Sequence, residues 1–273
     1  MTDLLQPQLI DELTALVSRA AGAVMQLRAS SFAVREKSDL SPVTAADEAS
    51  EEIILTGLAR LLPGLGVVSE EAAAKALPQA IASPFALIDP LDGTREFVAG
   101  HDEFAINLAI VEESRPVLGI ICAPALQTLW RNISAGGAER LQLAPGGALH
   151  EARERVAIHT AAPRARLRAL VSRSHLDART TAWLAQHADV ETLACGSSVK
   201  FCRLAEGAAD VYPRLAPTME WDVAAGEAIL AAAGGAVLTP DGAPLLYGRT
   251  DRGLLIREFV AWGSPPATAE TGH

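Results

Sequence analysis

FALIDPLDGT, residues 85–94, is the stretch of sequence on which the fold prediction depends most. The apolar residues 85–88 predict a buried strand that ends at Asp89. Asp92 and Gly93 are typical of a tight turn, and Thr94 is placed to begin a helix. Because both aspartates follow the end of one strand, the sequence predicts that their carboxylates converge on one point.

The two carboxylates of this turn have the chemistry of a magnesium site. Mg²⁺ prefers carboxylate and carbonyl oxygens together with retained waters, so Asp89, Asp92 and the carbonyl of Leu91 form a partial shell. Free N–H groups at the start of the helix at Thr94 favour a phosphate. Taken alone, the hexapeptide is also typical of a polar turn without a ligand, and this alternative stays open.

Two further acidic residues stand at the ends of predicted elements. Glu70 follows the strand 66–69, and Asp222 begins the predicted helix 222–233. Each has an ordinary alternative, since Asp is a favoured N-cap residue and Glu70 is equally readable as a solvated loop charge.

The rest of the chain predicts two halves. Helical spacing of apolar residues from Ile10 to Val24 predicts a first helix, and residues 104–111, 117–122 and 128–133 predict antiparallel strands. Glycine pairs and charges from 136 to 155 predict a boundary, which divides the chain into an α+β half, 1–135, and an α/β half, 136–273. The second half has predicted strands at 170–172, 190–193, 209–212 and 236–238 and helices near 176–187, 197–207 and 222–233.

Composition excludes several classes of protein. A net charge of −10 and a pI near 5.1 argue against nucleic acid and anionic membrane surfaces as partners. The three cysteines have neither CxxC spacing nor a Cys/His cluster, so we expect no disulfide framework, no zinc site and a reducing cytoplasm. The longest apolar run, 228–238, is too short for a transmembrane segment of about 20 residues. Peripheral association with the inner membrane and a homodimer both stay open.

Three segments together resemble the signature of the inositol monophosphatase superfamily. They are SEE (69–71), DPLDGT (89–94) and WDVAAG (221–226), and they occur in the family's order across most of the chain. The resemblance implies a layered αβαβα sandwich. It also implies two or three Mg²⁺ ions, held by Glu70, Asp89, the Leu91 carbonyl, Asp92 and Asp222.

A fourth segment, PVTAAD (42–47), completes the predicted catalytic set. By resemblance, Asp47 and Thr94 accept the proton of the attacking water, and Glu70 acts beside them at the metals. The N–H groups of Gly93 and Thr94 would receive the phosphate oxygens, where charge accumulates in the transition state.

Other segments resemble the 3′(2′),5′-bisphosphate nucleotidase branch of the superfamily. They are KSDLSPVT (37–44), REF (95–97), EF (103–104), SRSH (172–175), GSSVKFC (196–202) and YPR (212–214). The resemblance implies a small phosphorylated nucleotide as substrate. It further implies hydrolysis of the 3′-phosphate of adenosine 3′,5′-bisphosphate to AMP, with 3′-phosphoadenylyl sulfate as a second substrate, in support of sulfur assimilation.

A second anion site also has a physical basis. Lys200 falls in the first turn of a predicted helix, where a cation opposes the helix macrodipole by a few tenths to ~1 kcal/mol and a bound phosphate would reverse that penalty. Ser197 and Arg214 would add donors, and His175 is a candidate contact for the nucleotide. With Gly93, Thr94 and Asp222, these are the predicted substrate contacts. Solvated or structural roles remain alternatives for Lys200, Arg214 and His175.

Two rival functions use the same residues differently. An inositol-phosphate or broad sugar-phosphate phosphatase would hold the same metals but would not require a second phosphate. A non-catalytic nucleotide-binding protein would bind without turnover.

Overall fold

Two large β-sheets with helices between and outside them, together with two small two-stranded sheets, form the architecture, and the computed structural model describes residues 4–30, 34–36, 42–134, 136–162, 164–173 and 176–265. The helices are α1 (Pro7–Arg28), α2 (Ala45–Leu61), α3 (Glu70–Lys75), α4 (Thr94–Val98), α5 (Ala178–Leu184), α6 (Val199–Ala205) and α7 (Glu220–Ala232). The strands are β1 (Val34–Glu36), β2 (Pro42–Thr44), β3 (Gly66–Ser69), β4 (Phe85–Asp92), β5 (Ala105–Glu112), β6 (Arg115–Ala123), β7 (Thr128–Ile133), β8 (Gly137–Gln142), β9 (Glu154–Ile158), β10 (Leu167–Ser172), β11 (Val190–Cys195), β12 (Val211–Arg214), β13 (Thr218–Met219), β14 (Ala236–Leu238), β15 (Leu255–Ile256) and β16 (Phe259–Trp262). No helix in these ranges has the length and apolar character of a membrane span.

The first sheet has seven strands in the order β3-β4-β5-β6-β7-β8-β9. β3 runs parallel to β4, and each later strand is antiparallel to its neighbour. Helices α1 and α2 cover one face, where Leu13 and Leu58 pack with Ile88, Ile106 and Ile120 of the sheet. The buried residues of α1 recur at helical spacing and form the apolar stripe that faces this sheet, as the predicted amphipathic helix required.

Residues 136–155 differ from the prediction, because β8 and β9 extend this same sheet past residue 135. Charged side chains obscured the strand pattern. Glu139 on β8 accepts hydrogen bonds from Arg131 on β7 and Arg155 on β9, at 2.7 Å each. These ion pairs put charged residues at positions where a strand with one buried face would normally have apolar residues, so the alternating pattern of a strand is absent from the sequence. A division of the chain into independent halves stays a prediction, but the first sheet itself crosses it.

The second sheet has five strands in the order β11-β10-β12-β16-β14. Helices α6 and α7 fill the space between the two sheets, where the rings of Phe201, Tyr212 and Phe259 lie 5.2–5.6 Å apart. Leu184 of α5 packs on the outer face. The layers are thus α1 and α2, the first sheet, α6 and α7, the second sheet, and α5, which confirms the predicted αβαβα sandwich.

Helix α7 lies very close to its neighbours on both sides. A Cβ atom added at Gly119 of β6 would lie 2.2 Å from the carbonyl oxygen of Ala225 on α7. A Cβ atom at Gly226 of α7 would lie 2.3 Å from the ring of Phe201 on α6. Real Cβ atoms do not approach so closely, so the packing of the middle layer depends on these two glycines.

A buried acid on α7 anchors the segment before β15. The Tyr247 hydroxyl donates a hydrogen bond to Glu227. Burial raises the pKa of Glu227 to about 7, although Tyr247 and Arg115 act in the opposite direction. Because the folded state holds the proton of Glu227 more tightly than the unfolded state does, ionisation of this acid destabilises the folded state. The stability of the folded protein is therefore not reduced by Glu227 below the unfolded pKa of 4.5, and stability is lost as pH rises through the folded pKa of about 7.

Candidate active site

The end of β4 positions the acidic turn. Asp89 lies opposite Asn107 of β5, and Asp92 lies opposite Ala105, so the pairing is irregular between the two aspartates and the residues between them bulge out. Gly93 has a φ of 87°, and a Cβ there would lie 3.3 Å from the carbonyl oxygen of Glu103. This left-handed residue reverses the chain into α4, as the turn sequence predicted.

Four carboxylates lie near this turn, close enough for the charges of three of them to act on Asp89. Glu70 follows β3 as the first residue of α3, and Asp222 is the third residue of α7. Burial raises the pKa of Asp89 well above its usual value, and the charges of Glu70, Asp92 and Asp222 and a hydrogen bond with Glu70 raise it further. Burial and then the charge of Asp92 also raise the pKa of Asp222. So much negative charge in one buried place requires bound protons or a bound cation.

The donor set fits Mg²⁺. Its atoms are carboxylate oxygens, which are hard ligands, and the turn adds a backbone carbonyl. Within the described ranges, the acidic and histidine side chains form no cage of three or more around one point. One oxygen of Asp92 accepts hydrogen bonds from Ser197 and Ser198, and one of Asp222 accepts them from Thr218 and Met219. Such a partial shell suits Mg²⁺, which usually retains several waters and takes few protein ligands.

Thr94 and Asp47 form a hydrogen-bonded pair beside the cluster. The Thr94 hydroxyl lies 3.2 Å from Asp47 Oδ1 and 3.0 Å from the Leu91 carbonyl oxygen. Asp47 is the third residue of α2, and its Oδ2 accepts from the Thr44 N–H at 2.8 Å and the Thr44 hydroxyl at 2.7 Å. This capping box fixes the orientation of Asp47 and leaves Oδ1 turned to Thr94.

A small cavity of about 130 Å³ joins the turn to the second sheet. Its lining contains the carboxylates of Asp92 and Asp222, which we call the acidic wall, and the donors of Ser197, Lys200 and Arg214, which we call the basic wall. These side chains come from both sheets and from the helical layer between them. An acidic wall and a basic wall in one cavity are suited to a ligand that carries anionic groups at both ends.

Lys200 is 3% exposed, so it is not the solvated helix charge of the alternative reading. Its Nζ donates to the carbonyl oxygens of Ser197 at 2.7 Å and Cys195 at 3.2 Å, and it lies 5.1 Å from the centre of the Tyr212 ring. Ser197 has a φ of 56°, which is uncommon outside glycine and asparagine. The ammonium therefore helps to hold the loop 196–198 in a conformation that the backbone alone disfavours.

Arg214 lies at the end of β12 with its guanidinium in the cavity wall. Its Nη2 donates to the Pro217 carbonyl at 3.3 Å, and its buried Nε has no hydrogen-bond partner in the described part of the chain. Burial alone would lower the pKa of Arg214, but Tyr212, Asp222 and Asp92 outweigh burial and raise it. The result is a half-buried, charged guanidinium whose buried Nε is an unused donor.

The structure thus brings together most of the residues that the sequence singled out. The charges of Glu70, Asp92 and Asp222 act on Asp89, the Thr94 hydroxyl contacts Asp47, and the Thr94 hydroxyl also donates to the carbonyl of Leu91. His175 lies outside the described residues.

Two polar residues that face the loop 196–198 were not among the predicted site residues, although Glu103 belongs to the segment EF (103–104) that resembles the nucleotidase branch. Glu103 accepts the Gly196 N–H at 2.8 Å and two hydrogen bonds from Arg173, and Asn107 accepts the Ser198 hydroxyl at 2.7 Å. Asn107 did carry a signal, since it is the polar residue within the apolar strand sequence AINLAIV, 105–111.

An αβαβα sandwich with acidic residues at the end of β4 defines the inositol monophosphatase class. The model of the inositol monophosphatase family matches residues 6–263, and the chain belongs to that family. It is therefore a phosphatase of a metal-dependent family that generally uses Mg²⁺. Among curated proteins, it is similar to the 3′(2′),5′-bisphosphate nucleotidase CysQ of Escherichia coli K12, with 37% identity over 244 residues, 88% of this chain and 94% of that protein.

Other relatives agree with this placement. CysQ of Buchnera aphidicola is 32% identical over 255 residues, 90% of this chain and 89% of its own length. The crystal structure of CysQ from Bacteroides thetaiotaomicron matches with a TM-score of 0.80 and 31% identity, over 97% of this chain and 100% of that one. An inositol monophosphatase from Zymomonas mobilis matches with a TM-score of 0.72 and 25% identity, over 93% and 92%. The predicted nucleotidase branch of the family is confirmed.

Proposed function

We propose that the protein is a Mg²⁺-dependent 3′(2′),5′-bisphosphate nucleotidase that hydrolyses the 3′-phosphate of adenosine 3′,5′-bisphosphate to AMP and phosphate. 3′-Phosphoadenylyl sulfate would be a second substrate, and the activity would support sulfur assimilation in the cytoplasm. The observation that carries this proposal is the cavity between the sheets, whose lining combines the carboxylates of Asp92 and Asp222 with the cations of Lys200 and Arg214. A substrate with two separate phosphates matches both walls.

The acidic wall would hold the metal. Glu70, Asp89, Asp92, Asp222 and the Leu91 carbonyl are the proposed ligands of two or three Mg²⁺ ions. Bound cations of this kind lower the pKa of the attacking water and stabilise the charge on the leaving oxygen. They would also allow the four carboxylates to be ionised together despite their mutual repulsion.

Thr94 and Asp47 are suited to remove the proton of the attacking water. As the water attacks, Thr94 Oγ1 would accept its proton and pass its own to Asp47 Oδ1, 3.2 Å away. The Thr44 hydrogen bonds to Asp47 Oδ2 support this role, because they fix the carboxylate without occupying Oδ1. The N–H groups of Gly93 and Thr94 are the proposed donors to the phosphate that is cleaved.

The basic wall would bind the phosphate that is not cleaved. Arg214 has an unused Nε donor, and a guanidinium can bind a phosphate through two parallel hydrogen bonds. Lys200 uses two of its three N–H donors on carbonyl groups, which leaves its charge and one donor for a phosphate oxygen. The Ser197 hydroxyl and His175 complete the proposed contacts.

Phosphate release from a panel of substrates tests the proposal. The panel contains adenosine 3′,5′-bisphosphate, 3′-AMP, inositol 1-phosphate and glucose 1-phosphate, each with Mg²⁺. We expect the highest kcat/KM on the bisphosphate, with 5′-AMP as the identified product. Equal or higher kcat/KM on inositol or sugar phosphates would instead support the broad phosphatase. Tight binding of the bisphosphate without release of phosphate would indicate a non-catalytic nucleotide-binding protein.

A further inference from the structure

The loop 196–198 is attached directly to the acidic turn. The Ser197 hydroxyl donates to Asp92 Oδ2 at 2.6 Å, and the Ser198 N–H donates to the same oxygen. The Ser198 hydroxyl continues the connection to Asn107 Oδ1, 2.7 Å away on β5. The proposed site for the second phosphate therefore shares hydrogen bonds with a proposed metal ligand.

Asn107 stands between the loop and the turn. It is 1% exposed and lies directly opposite Asp89 in the pairing of β4 and β5. Residues directly opposite each other in antiparallel strands have Cβ atoms about 4.5–5.5 Å apart, so the amide and the Asp89 carboxyl are neighbours. Its Oδ1 accepts from Ser198, while its buried Nδ2 has no hydrogen-bond partner among the described residues.

Asn132, in the same sheet, shows what a purely structural asparagine does here. Its Oδ1 accepts the Gly119 N–H at 2.7 Å, and its Nδ2 donates to the Val117 carbonyl at 2.9 Å. Both ends of that amide are used on the backbone of one strand. Asn107 uses one end on the loop and presents the other beside an acid, and a buried donor without a partner is costly unless a ligand or its waters supply one.

We propose that Asn107 is a positioning residue that couples cation binding at the acidic turn to phosphate binding at the loop 196–198, an inference that rests on the proposed function. The amide is planar and rigid, so a shift at its Nδ2 end moves its Oδ1 end as well. An ordered turn at Asp89 and Asp92 then favours the position of Ser198 that lines the cavity. By reciprocity, a phosphate that orders the loop strengthens cation binding by the same factor.

Calorimetric titration of Mg²⁺ into the metal-free protein, with and without saturating AMP, measures this coupling without turnover. The quantity compared is the ratio of the two Mg²⁺ dissociation constants. In the wild-type protein AMP should lower the Mg²⁺ Kd by roughly two- to tenfold, which is the range expected for one hydrogen bond. In Asn107→Ala the two Kd values should be nearly equal, so their ratio should approach one.

Two further variants keep the test decisive. Ser198→Ala removes the same hydrogen bond from the loop side, so it serves even where Asn107→Ala does not fold, and the double variant should lose no more coupling than either single one. Asn132→Ala is the matched control: it should lower Tm and leave the ratio unchanged.

The outcomes separate this inference from the proposed function. Three results would each overturn the coupling role of Asn107 and leave the proposed function intact. They are a ratio that is unchanged in both Asn107→Ala and Ser198→Ala, a wild-type ratio of one, and an equal loss of coupling in Asn132→Ala. Failure of the wild-type protein to bind AMP at any Mg²⁺ concentration would overturn the proposed function as well.

Discussion

Replacing Arg214 with alanine tests whether the basic wall binds a second phosphate. The guanidinium is half-buried and charged and has an unused Nε donor, so its partner in the proposed complex is a phosphate oxygen. Loss of a hydrogen bond to a charged group typically costs about 1.5 to 3 kcal/mol. We therefore expect kcat/KM for adenosine 3′,5′-bisphosphate to fall roughly ten- to a hundredfold. On 3′-AMP, which has no 5′-phosphate, kcat/KM should change little.

A second effect of the same change must be separated from the first. The charge of Arg214 lowers the pKa of Asp222, so its removal also changes the electrostatic field in which a cation binds at the acidic turn. Both substrates should be assayed with one preparation at saturating Mg²⁺, where this effect disappears. Arg166→Ala is the matched control, because Arg166 is 58% exposed and pairs with Asp189 at the surface. An equal loss on both substrates, or none on either, would show that Arg214 does not read a second phosphate.

Three further predictions concern the metal and the core. Exhaustive chelation with EDTA should abolish phosphate release and added Mg²⁺ should restore it, and undiminished turnover would refute a metal mechanism. Asp92→Asn should reduce kcat by more than about a hundredfold with little change in Tm, since the amide keeps the shape but not the charge; near-normal kcat would make Asp92 a turn residue only. The unfolding free energy of the wild-type protein should fall by roughly 2 to 3 kcal/mol between pH 5 and 8, relative to that of Glu227→Gln, because a carboxyl with a pKa of about 7 in the folded state ionises in that interval. Glu227→Gln is the reference because its amide oxygen still accepts the hydrogen bond from Tyr247. Parallel profiles in urea titrations would contradict this.

The sequence predicted the acidic turn well, because its parts are contiguous. Asp89, Asp92 and Thr94 lie within one strand-turn-helix unit, and local turn chemistry determines how such a unit folds. Glu70 was recognised as an acidic residue at a predicted strand end, but its place beside this turn came from the family resemblance. The grouping of distant Asp47 and Asp222 with this turn came from the family resemblance, since no local rule connects residues so far apart in sequence.

What the sequence could not predict depends on contacts between distant segments. Asn107 and Ser198 are 91 residues apart, and their hydrogen bond exists only after both sheets have closed on the helical layer. The strands β8 and β9 were missed for a related reason, since Glu139 is tolerated in a buried position only through its arginine partners on both sides. Pairing of charges across strands leaves no period in either strand alone.

The close contacts at Gly119 and Gly226 fix the thickness of the helical layer between the two sheets. The acidic wall is carried mainly by the first sheet and by the start of α7, and the basic wall by α6 and the second sheet. The thickness of the helical layer therefore sets the distance between the proposed positions of the two phosphates. One methyl group at either glycine would clash with the backbone of Ala225 or with the ring of Phe201, and Phe201 also lines the cavity. We therefore expect the packing of the core to determine which spacing of phosphates a substrate can have.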